Sequence, residues 1–193
     1  MNTVNKVLNA AKDIIMTNSY KVSHNPEVIP PTTGVVKHLV DCKIMDYPFH
    51  AHFNGNKEIA KRLFDKFFEV AHEDIQAASS LNLVFRGTSG TFMAALFVEI
   101  FEQKYQKEIN LALVRKPNED SHSKTYSDTD RNGLFIWLDD FISSGKTLEN
   151  CFEYFKQISF KPKFDWAITS WLYSEGWLTV DATVSNIICG EHR

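Results

Sequence analysis

Four short apolar runs, separated by stretches with helical spacing, constrain the fold of this chain more than any other feature of its sequence. The apolar runs cover residues 81–85, 109–114, 134–138 and 166–172. Apolar residues recur at helical spacing before and between these runs, over residues 57–79, 91–105 and 148–158. Strands that alternate with helices predict βαβ units, and therefore a parallel sheet with helices packed on its faces. In such sheets, ligands bind beyond the carboxyl ends of the strands.

The composition is that of one globular domain. The chain has 193 residues, of which 44% are hydrophobic and 23% charged, so it can bury a substantial core. Its formal net charge of −3 argues against nucleic acid as the main partner, and no apolar run is long enough to span a membrane. The cysteines, Cys42, Cys151 and Cys189, are widely spaced and odd in number, which is typical of a reducing compartment. We therefore expect a single soluble domain, residues 1–193, located in the cytoplasm, without a nucleic-acid or membrane partner.

The N-terminal part, residues 1–56, is less regular than the rest. Apolar spacing predicts an amphipathic helix over residues 3–18. Residues 35–53 predict one or two strands, which Asn54-Gly55-Asn56 would end.

A polar segment, residues 115–132, interrupts the strand–helix alternation. It reads RKPNEDSHSKTYSDTDRN, contains no aliphatic residue and has Tyr126 as its one aromatic residue. A loop of this length inside a compact domain is more often a functional lid or disordered than a plain connection. Because it follows directly on an apolar run, at the edge where ligands bind, we favour a lid over simple disorder.

The most informative stretch follows the third apolar run. Two adjacent carboxylates, Asp139 and Asp140, come first, and Ser143-Ser144-Gly145-Lys146-Thr147 then leads into a helix. The free backbone N–H groups and positive dipole end of a helix N-terminus form a natural phosphate cradle. Two carboxylates would repel phosphate itself, so they suit sugar hydroxyls or a cation beside it.

Two other interpretations of this stretch are weaker. The Gly-Lys-Thr sequence invites a comparison with the Walker A phosphate loop, but Asp140 stands where that motif requires glycine. An ordinary strand, turn and capped helix would explain one polar residue rather than paired acids followed by a hydroxyl-rich turn.

The stretch resembles the motif with which type I phosphoribosyltransferases bind PRPP (5-phosphoribosyl 1-diphosphate). Two further segments are similar to parts of that family, in the expected order. The segment Arg86-Gly87-Thr88-Ser89-Gly90 resembles the pyrophosphate loop, and the polar segment from Arg115-Lys116 resembles the mobile catalytic loop. The resemblance implies a three-layer α/β fold with a central parallel sheet, flanking helices and a small hood. It implies a PRPP-binding core over residues 57–172, preceded by a helix and possible hood strands in 1–56 and followed by a C-terminal segment, 173–193.

The resemblance also implies a role for individual residues. Asp139 and Asp140 would accept hydrogen bonds from the ribose hydroxyls, Asp140 would take part in catalysis, and Asp139 would bind metal directly or through water. The residues implied to hold the 5′-phosphate are Ile142, Ser143, Ser144, Gly145, Lys146 and Thr147. Those implied to contact the pyrophosphate are Arg86, Gly87, Thr88, Arg115 and Lys116. Catalysis would also use Lys116, His122 and Lys124 from the lid, together with Mg²⁺ carried mainly by the substrate's own oxygens.

The implied activity is transfer of ribose 5-phosphate from PRPP to a nucleobase, with release of pyrophosphate, in a homodimer. Ser143 occupies the position at which enzymes of 6-oxopurines commonly carry an acid, and a hydroxyl is a poor general base. Orotate enzymes show a small hydroxyl residue there, whereas the Gly-Lys-Thr ending resembles the purine group. A pyrimidine such as orotate is therefore slightly favoured over a purine.

Three points stay open at this level. A PRPP-sensing regulatory or binding protein could keep the same fold without turnover, although the lid favours an enzyme. The paired acids also weakly permit a phosphosugar hydrolase or another nucleotide enzyme. The hood could come from residues 20–53, or from 171–193 with Trp171, Tyr173 and Trp177.

Overall fold

The computed structural model describes the backbone of residues 38–41, 53–115, 125–127 and 129–192, and the side chains of 57–115 and 129–192. The strands within these ranges are β1 (His38–Asp41), β2 (Ser80–Phe85), β3 (Glu108–Val114), β4 (Thr125–Ser127), β5 (Leu134–Ile142), β6 (Phe164–Leu172) and β7 (Val184–His192). The helices are α1 (Phe53–Val70), α2 (His72–Ala77), α3 (Gly87–Lys104), α4 (Lys146–Ile158) and α5 (Trp177–Thr183), with a 3₁₀ turn at Ser174–Gly176. The predicted helix over 3–18 and the lid residues Lys116, His122 and Lys124 lie outside the described residues.

The described strands form one seven-stranded sheet in the order β1-β7-β6-β5-β2-β3-β4. Only β4 runs antiparallel to its neighbour, β3, and all other adjacent pairs are parallel. In the central pair, Leu81 of β2 lies opposite Leu134 of β5, and Phe85 lies opposite Leu138. The predicted parallel sheet is confirmed, and its register brings the carboxyl ends of β2 and β5 side by side.

Helices cover both faces of the sheet and bury a separate apolar cluster on each. One cluster lies under α1 and α3, and the other lies under α4 and α5. Strand β5 contributes to both, with Ile136 and Leu138 in the first and Phe135 and Trp137 in the second. A strand buried on both faces reads as a continuous apolar run, which is why this strand could be recognised in the sequence. The three-layer α/β architecture is confirmed.

The boundaries of several elements differ from the sequence prediction. Helix α1 begins at Phe53, so Asn54-Gly55-Asn56 lies in its first turn and does not end the preceding element. Helix α3 begins at Gly87 rather than at residue 91, two residues after the last residue of β2. The helix predicted over 57–79 is divided at Ala71, whose ψ of 14° turns the chain between α1 and α2.

The C-terminal segment belongs to the sheet. Strand β7 lies between β6 and β1, and it pairs in parallel with both. Trp171 and Trp177, which made this segment a candidate for the hood, are buried in the two apolar clusters. These aromatic side chains are therefore core residues. The other candidate, residues 20–53, contributes β1 and the first residue of α1, and its remaining residues lie outside the described ranges.

No helix in the described ranges combines the length and apolar character that crossing a bilayer would need. Cys151 and Cys189 are buried, and Cys42 lies outside the described residues.

Candidate functional site

The paired carboxylates lie at the carboxyl end of β5. They were expected just beyond the strand, but β5 continues through both of them because the neighbouring strand β6 is equally long and pairs with it as far as Leu172. Asp139 is only 6% exposed, and its Oδ1 accepts hydrogen bonds from Ser89 Oγ at 3.0 Å and from the Asp140 backbone N–H at 2.9 Å. Asp140 is half-buried, and its Oδ1 accepts the Phe141 N–H at 3.0 Å. One carboxyl is thus fixed inside the protein and the other is open to a ligand.

Burial is the largest influence on the pKa of Asp139. Desolvation raises the pKa of Asp139 to about 8, and the adjacent negative charge of Asp140 acts in the same direction. The hydrogen bond from Ser89 and the Asp140 backbone N–H oppose the shift, since both favour the ionised form. Near neutral pH the pair therefore carries less than two negative charges, which reduces its repulsion of a phosphorylated sugar.

The turn between β5 and α4, residues 143–145, presents the first backbone N–H groups of α4, which have no partner inside the helix. Gly145 has a φ of +77°, a region that favours glycine. The Tyr173 N–H donates to the Ile142 carbonyl at 2.9 Å, and a Cβ on Gly176 would overlap the Ser143 carbonyl oxygen. The turn is thus held in shape by the segment that follows β6.

A cleft of about 330 Å³ opens above the acids and this turn. It contains all the residues predicted to bind the ribose and the 5′-phosphate: Asp139, Asp140, Ile142, Ser143, Ser144, Gly145, Lys146 and Thr147. Arg86, Ser89, Trp137 and Phe141 also line it. The Lys146 ammonium pairs with Glu149 at 2.6 Å, so the contribution we expect from residue 146 is its backbone N–H.

A second cleft, of about 570 Å³, lies between the start of α3 and the end of β3. Its lining includes the predicted pyrophosphate residues Arg86, Gly87, Thr88 and Arg115, whereas Lys116 lies outside the described residues. Arg86 and Gly87 line both clefts. Within the described part of the chain no carboxylate forms an ion pair with Arg86, so its half-buried guanidinium is available to an anion.

The described side chains include no group of three or more His, Cys, Asp or Glu residues that could hold a metal ion. Mg²⁺ is usually bound through one or two carboxylates, with substrate phosphates and water completing its coordination. Asp139 and Asp140 provide that number of carboxylates, and Asp140 is open to the cleft. The pair fits a Mg²⁺ ion that arrives with a phosphorylated substrate.

A nearby thiol has no catalytic character. Cys151 lies in the second turn of α4, and burial raises its pKa to about 11. The thiol is therefore protonated at neutral pH and does not serve as a nucleophile.

Sequence reasoning missed three contributors to the site. Ser89 was placed in the segment that resembles the pyrophosphate loop but was given no role of its own, and Gly176 and Thr179 were not considered at all. Ser89 could have been found, because it follows β2 by a few residues and ligands were expected beyond the carboxyl ends of the strands. Phe141, which lines the first cleft, is 42% exposed.

No protein-family profile and no curated protein matches this sequence. Among solved structures, the chain is similar to the APRTase (adenine phosphoribosyltransferase) of Giardia lamblia in complex with 9-deazaadenine, with 10% identity, a TM-score of 0.51, and coverage of 72% of this chain and 80% of that one. It is also similar to the orotate phosphoribosyltransferase of Francisella tularensis, with 12% identity, a TM-score of 0.53, and coverage of 74% and 68%. At these identities the likeness establishes the fold. The chain has the fold of the type I phosphoribosyltransferases, as the motif resemblance implied.

Proposed function

We propose that this chain is a Mg²⁺-dependent phosphoribosyltransferase that transfers ribose 5-phosphate from PRPP to a nucleobase and releases pyrophosphate. The observation that carries the proposal is that Arg86 and Gly87 line two adjoining clefts. One cleft contains the paired acids and the turn before α4, and the other extends to Arg115. PRPP has three parts in a matching order, namely a 5′-phosphate, a ribose diol and a pyrophosphate.

The first cleft would hold the ribose 5-phosphate. The backbone N–H groups at the start of α4 and the hydroxyls of Ser143, Ser144 and Thr147 would bind the phosphate. Asp139 and Asp140 would accept hydrogen bonds from the ring hydroxyls. Asp140, which is the more exposed of the two, would also take part in catalysis. Fixing the sugar at both ends orients its anomeric carbon for attack.

The second cleft would stabilise the leaving group. A nitrogen of the base forms a bond to the anomeric carbon as the bond from that carbon to the pyrophosphate oxygen breaks, and the electron pair leaves with pyrophosphate. Arg86 and Arg115 would stabilise the negative charge that develops there. When bound, Mg²⁺ would add charge neutralisation on the phosphate oxygens, with Asp139 as a ligand directly or through water. The lid residues Lys116, His122 and Lys124 would close over the pyrophosphate and exclude water.

Ser143 supports a pyrimidine acceptor. Its exposed hydroxyl stands where an acid would be needed to handle the ring proton of a 6-oxopurine. A base that arrives as an anion, such as orotate, needs no such group. We therefore propose orotate or a related pyrimidine ahead of a purine.

We also propose that the enzyme works as a homodimer in the cytoplasm. The dimer is supported by the resemblance to type I phosphoribosyltransferases, and the location by the small number and wide spacing of the cysteines. Size-exclusion chromatography with light scattering tests the dimer directly.

The proposal is tested by incubating the purified chain with PRPP, Mg²⁺ and, in turn, orotate, uracil, adenine, hypoxanthine and guanine, and measuring pyrophosphate. We expect base-dependent release that is greatest with a pyrimidine, and none when the base is omitted. Binding of PRPP without release for any base would instead identify a non-catalytic PRPP-binding protein. Failure to bind PRPP would remove the proposal, and a purine as best acceptor would contradict only the choice of base.

A further inference from the structure

One hydrogen bond in the wall of the first cleft links two distant segments of the chain. Ser89, in the first turn of α3, donates its hydroxyl proton to Oδ1 of Asp139 at 3.0 Å. The two residues are 50 positions apart in the chain, and Ser89 is half-buried in the wall of the first cleft. Helix α3 starts at Gly87, which lies in both clefts. A single hydrogen bond therefore connects the segment beside the second cleft to the buried acid of the first.

This hydrogen bond affects which oxygen of the Asp139 carboxyl is left for a ligand. Its Oδ1 already receives a backbone N–H from Asp140 at 2.9 Å, so the Ser89 hydroxyl fills the second acceptor site of that oxygen. The other oxygen, Oδ2, is left to carry the proton that the raised pKa retains near neutral pH, and it can still accept a hydrogen bond from a ligand. With only the backbone N–H in place, the carboxyl could rotate and offer either oxygen.

We propose that Ser89 is a positioning residue that orients the Asp139 carboxyl so that one defined oxygen accepts a hydrogen bond from the sugar's ring hydroxyl. The inference rests on the proposed function, since it assumes that a ribose phosphate occupies the first cleft. It assigns Ser89 no contact with the reacting atoms. Ser89 acts on the sugar through Asp139, and it should have little influence on ligands that do not reach the acid.

The test compares Ser89→Ala with a matched control. Ser79, just before β2 at the opposite edge of the sheet, donates its hydroxyl to Oδ2 of Asp130 at 2.6 Å, so Ser79→Ala removes the same type of hydrogen bond far from both clefts. Binding of ribose 5-phosphate and of pyrophosphate, each with Mg²⁺, is measured by calorimetry on the full chain. Ribose 5-phosphate should contact Asp139 and Asp140 in the first cleft, whereas pyrophosphate should bind beside Arg86. Thermal melting verifies that each variant is folded.

We expect Ser89→Ala to weaken the binding of ribose 5-phosphate about fivefold, the effect of losing one hydrogen bond that holds an acceptor group in place. Its affinity for pyrophosphate should stay within twofold of wild type. Ser79→Ala should bind both ligands as wild type does.

Each other outcome has a defined meaning. If Ser89→Ala binds ribose 5-phosphate like wild type, the positioning role is wrong while the proposed function stands. An equal loss of pyrophosphate affinity would show that the substitution disturbs the start of α3 as a whole, which also overturns the inference. If the wild-type chain binds neither ribose 5-phosphate nor PRPP, the proposed function itself fails, and this is visible without any variant.

Discussion

A Cβ atom on Gly145 would lie 2.6 Å from both the Cβ and the Oγ1 of Thr179. Gly145 belongs to the turn before α4, and Thr179 belongs to α5, which follows β6. Gly145 also has a φ of +77°, so backbone conformation and close packing each favour glycine at this position. The shape of the proposed phosphate site therefore depends on a helix near the C-terminus of the chain.

Substitution at Gly145 should be more damaging than at Gly87, the other glycine with positive φ among the described residues. In Gly145→Ala, the left-handed backbone costs about 1–2 kcal/mol and the clash with Thr179 adds roughly 1–3 kcal/mol. Gly87 has a φ of +70°, but an added Cβ there would meet no atom within 4 Å. Gly87→Ala should therefore lose only the backbone contribution, about 1–2 kcal/mol. Urea denaturation measures both values, and equal losses would contradict the packing argument.

Asp140→Asn should abolish turnover while preserving the fold. The amide keeps the size of the side chain and can still accept the Phe141 N–H, but it loses the charge that faces the sugar. We expect pyrophosphate release to fall at least about 100-fold, the scale of removing one charged catalytic contact. Glu149→Gln is the control, because Glu149 lies one turn into α4, pairs with Lys146 and does not line the cleft. Full activity of Asp140→Asn would remove the site assignment.

Much of this architecture was accessible from the sequence, for identifiable reasons. Strand β5 is buried on both faces, and its continuous apolar run marked it as a central parallel strand. The residues predicted to bind sugar and phosphate lie close together in the chain, between Asp139 and Thr147, so one motif contained them all.

What escaped prediction depends on contacts between distant segments. The hydrogen bond from Ser89 to Asp139 and the packing of Thr179 on Gly145 form only once the strand order is known. The end of β5 was misplaced because it is set by pairing with β6, not by its own composition. Trp177 suggested a hood, since an aromatic residue has the same appearance in a sequence whether it lies in a core or over a ligand.

Arg86→Gln should weaken pyrophosphate binding about tenfold, the effect of one charge-assisted hydrogen bond to a phosphate. Arg86 lines both clefts, and no carboxylate among the described residues pairs with it. Arg131→Gln is the matched control, because the Arg131 guanidinium lies 5.0 Å from the ring centre of Phe160, away from the clefts. Calorimetry at two salt concentrations measures the effect. Equal losses in the two variants would indicate a general response to surface charge rather than a site.

The raised pKa of Asp139 predicts a specific dependence of stability on pH. In the folded protein the pKa of this carboxyl is about 8, whereas in the unfolded chain it returns to its ordinary value of 3.8. Between these values the folded state retains a proton that the unfolded state has released. The contribution of Asp139 to stability therefore falls as the pH rises from about 4 to 8 and is constant above that range.

Asp139→Asn removes this titration. The free energy of unfolding of the variant, minus that of wild type, should increase steadily between pH 5 and pH 8, and urea denaturation at several pH values measures it. Asp130→Asn is the control, because the Ser79 hydroxyl lowers the pKa of Asp130 and keeps that carboxyl ionised in both states over this range. The difference in free energy of unfolding between Asp130→Asn and wild type should not change with pH. A difference for Asp139→Asn that also stays constant would mean that the folded carboxyl is already ionised at pH 5, contrary to its burial beside Asp140.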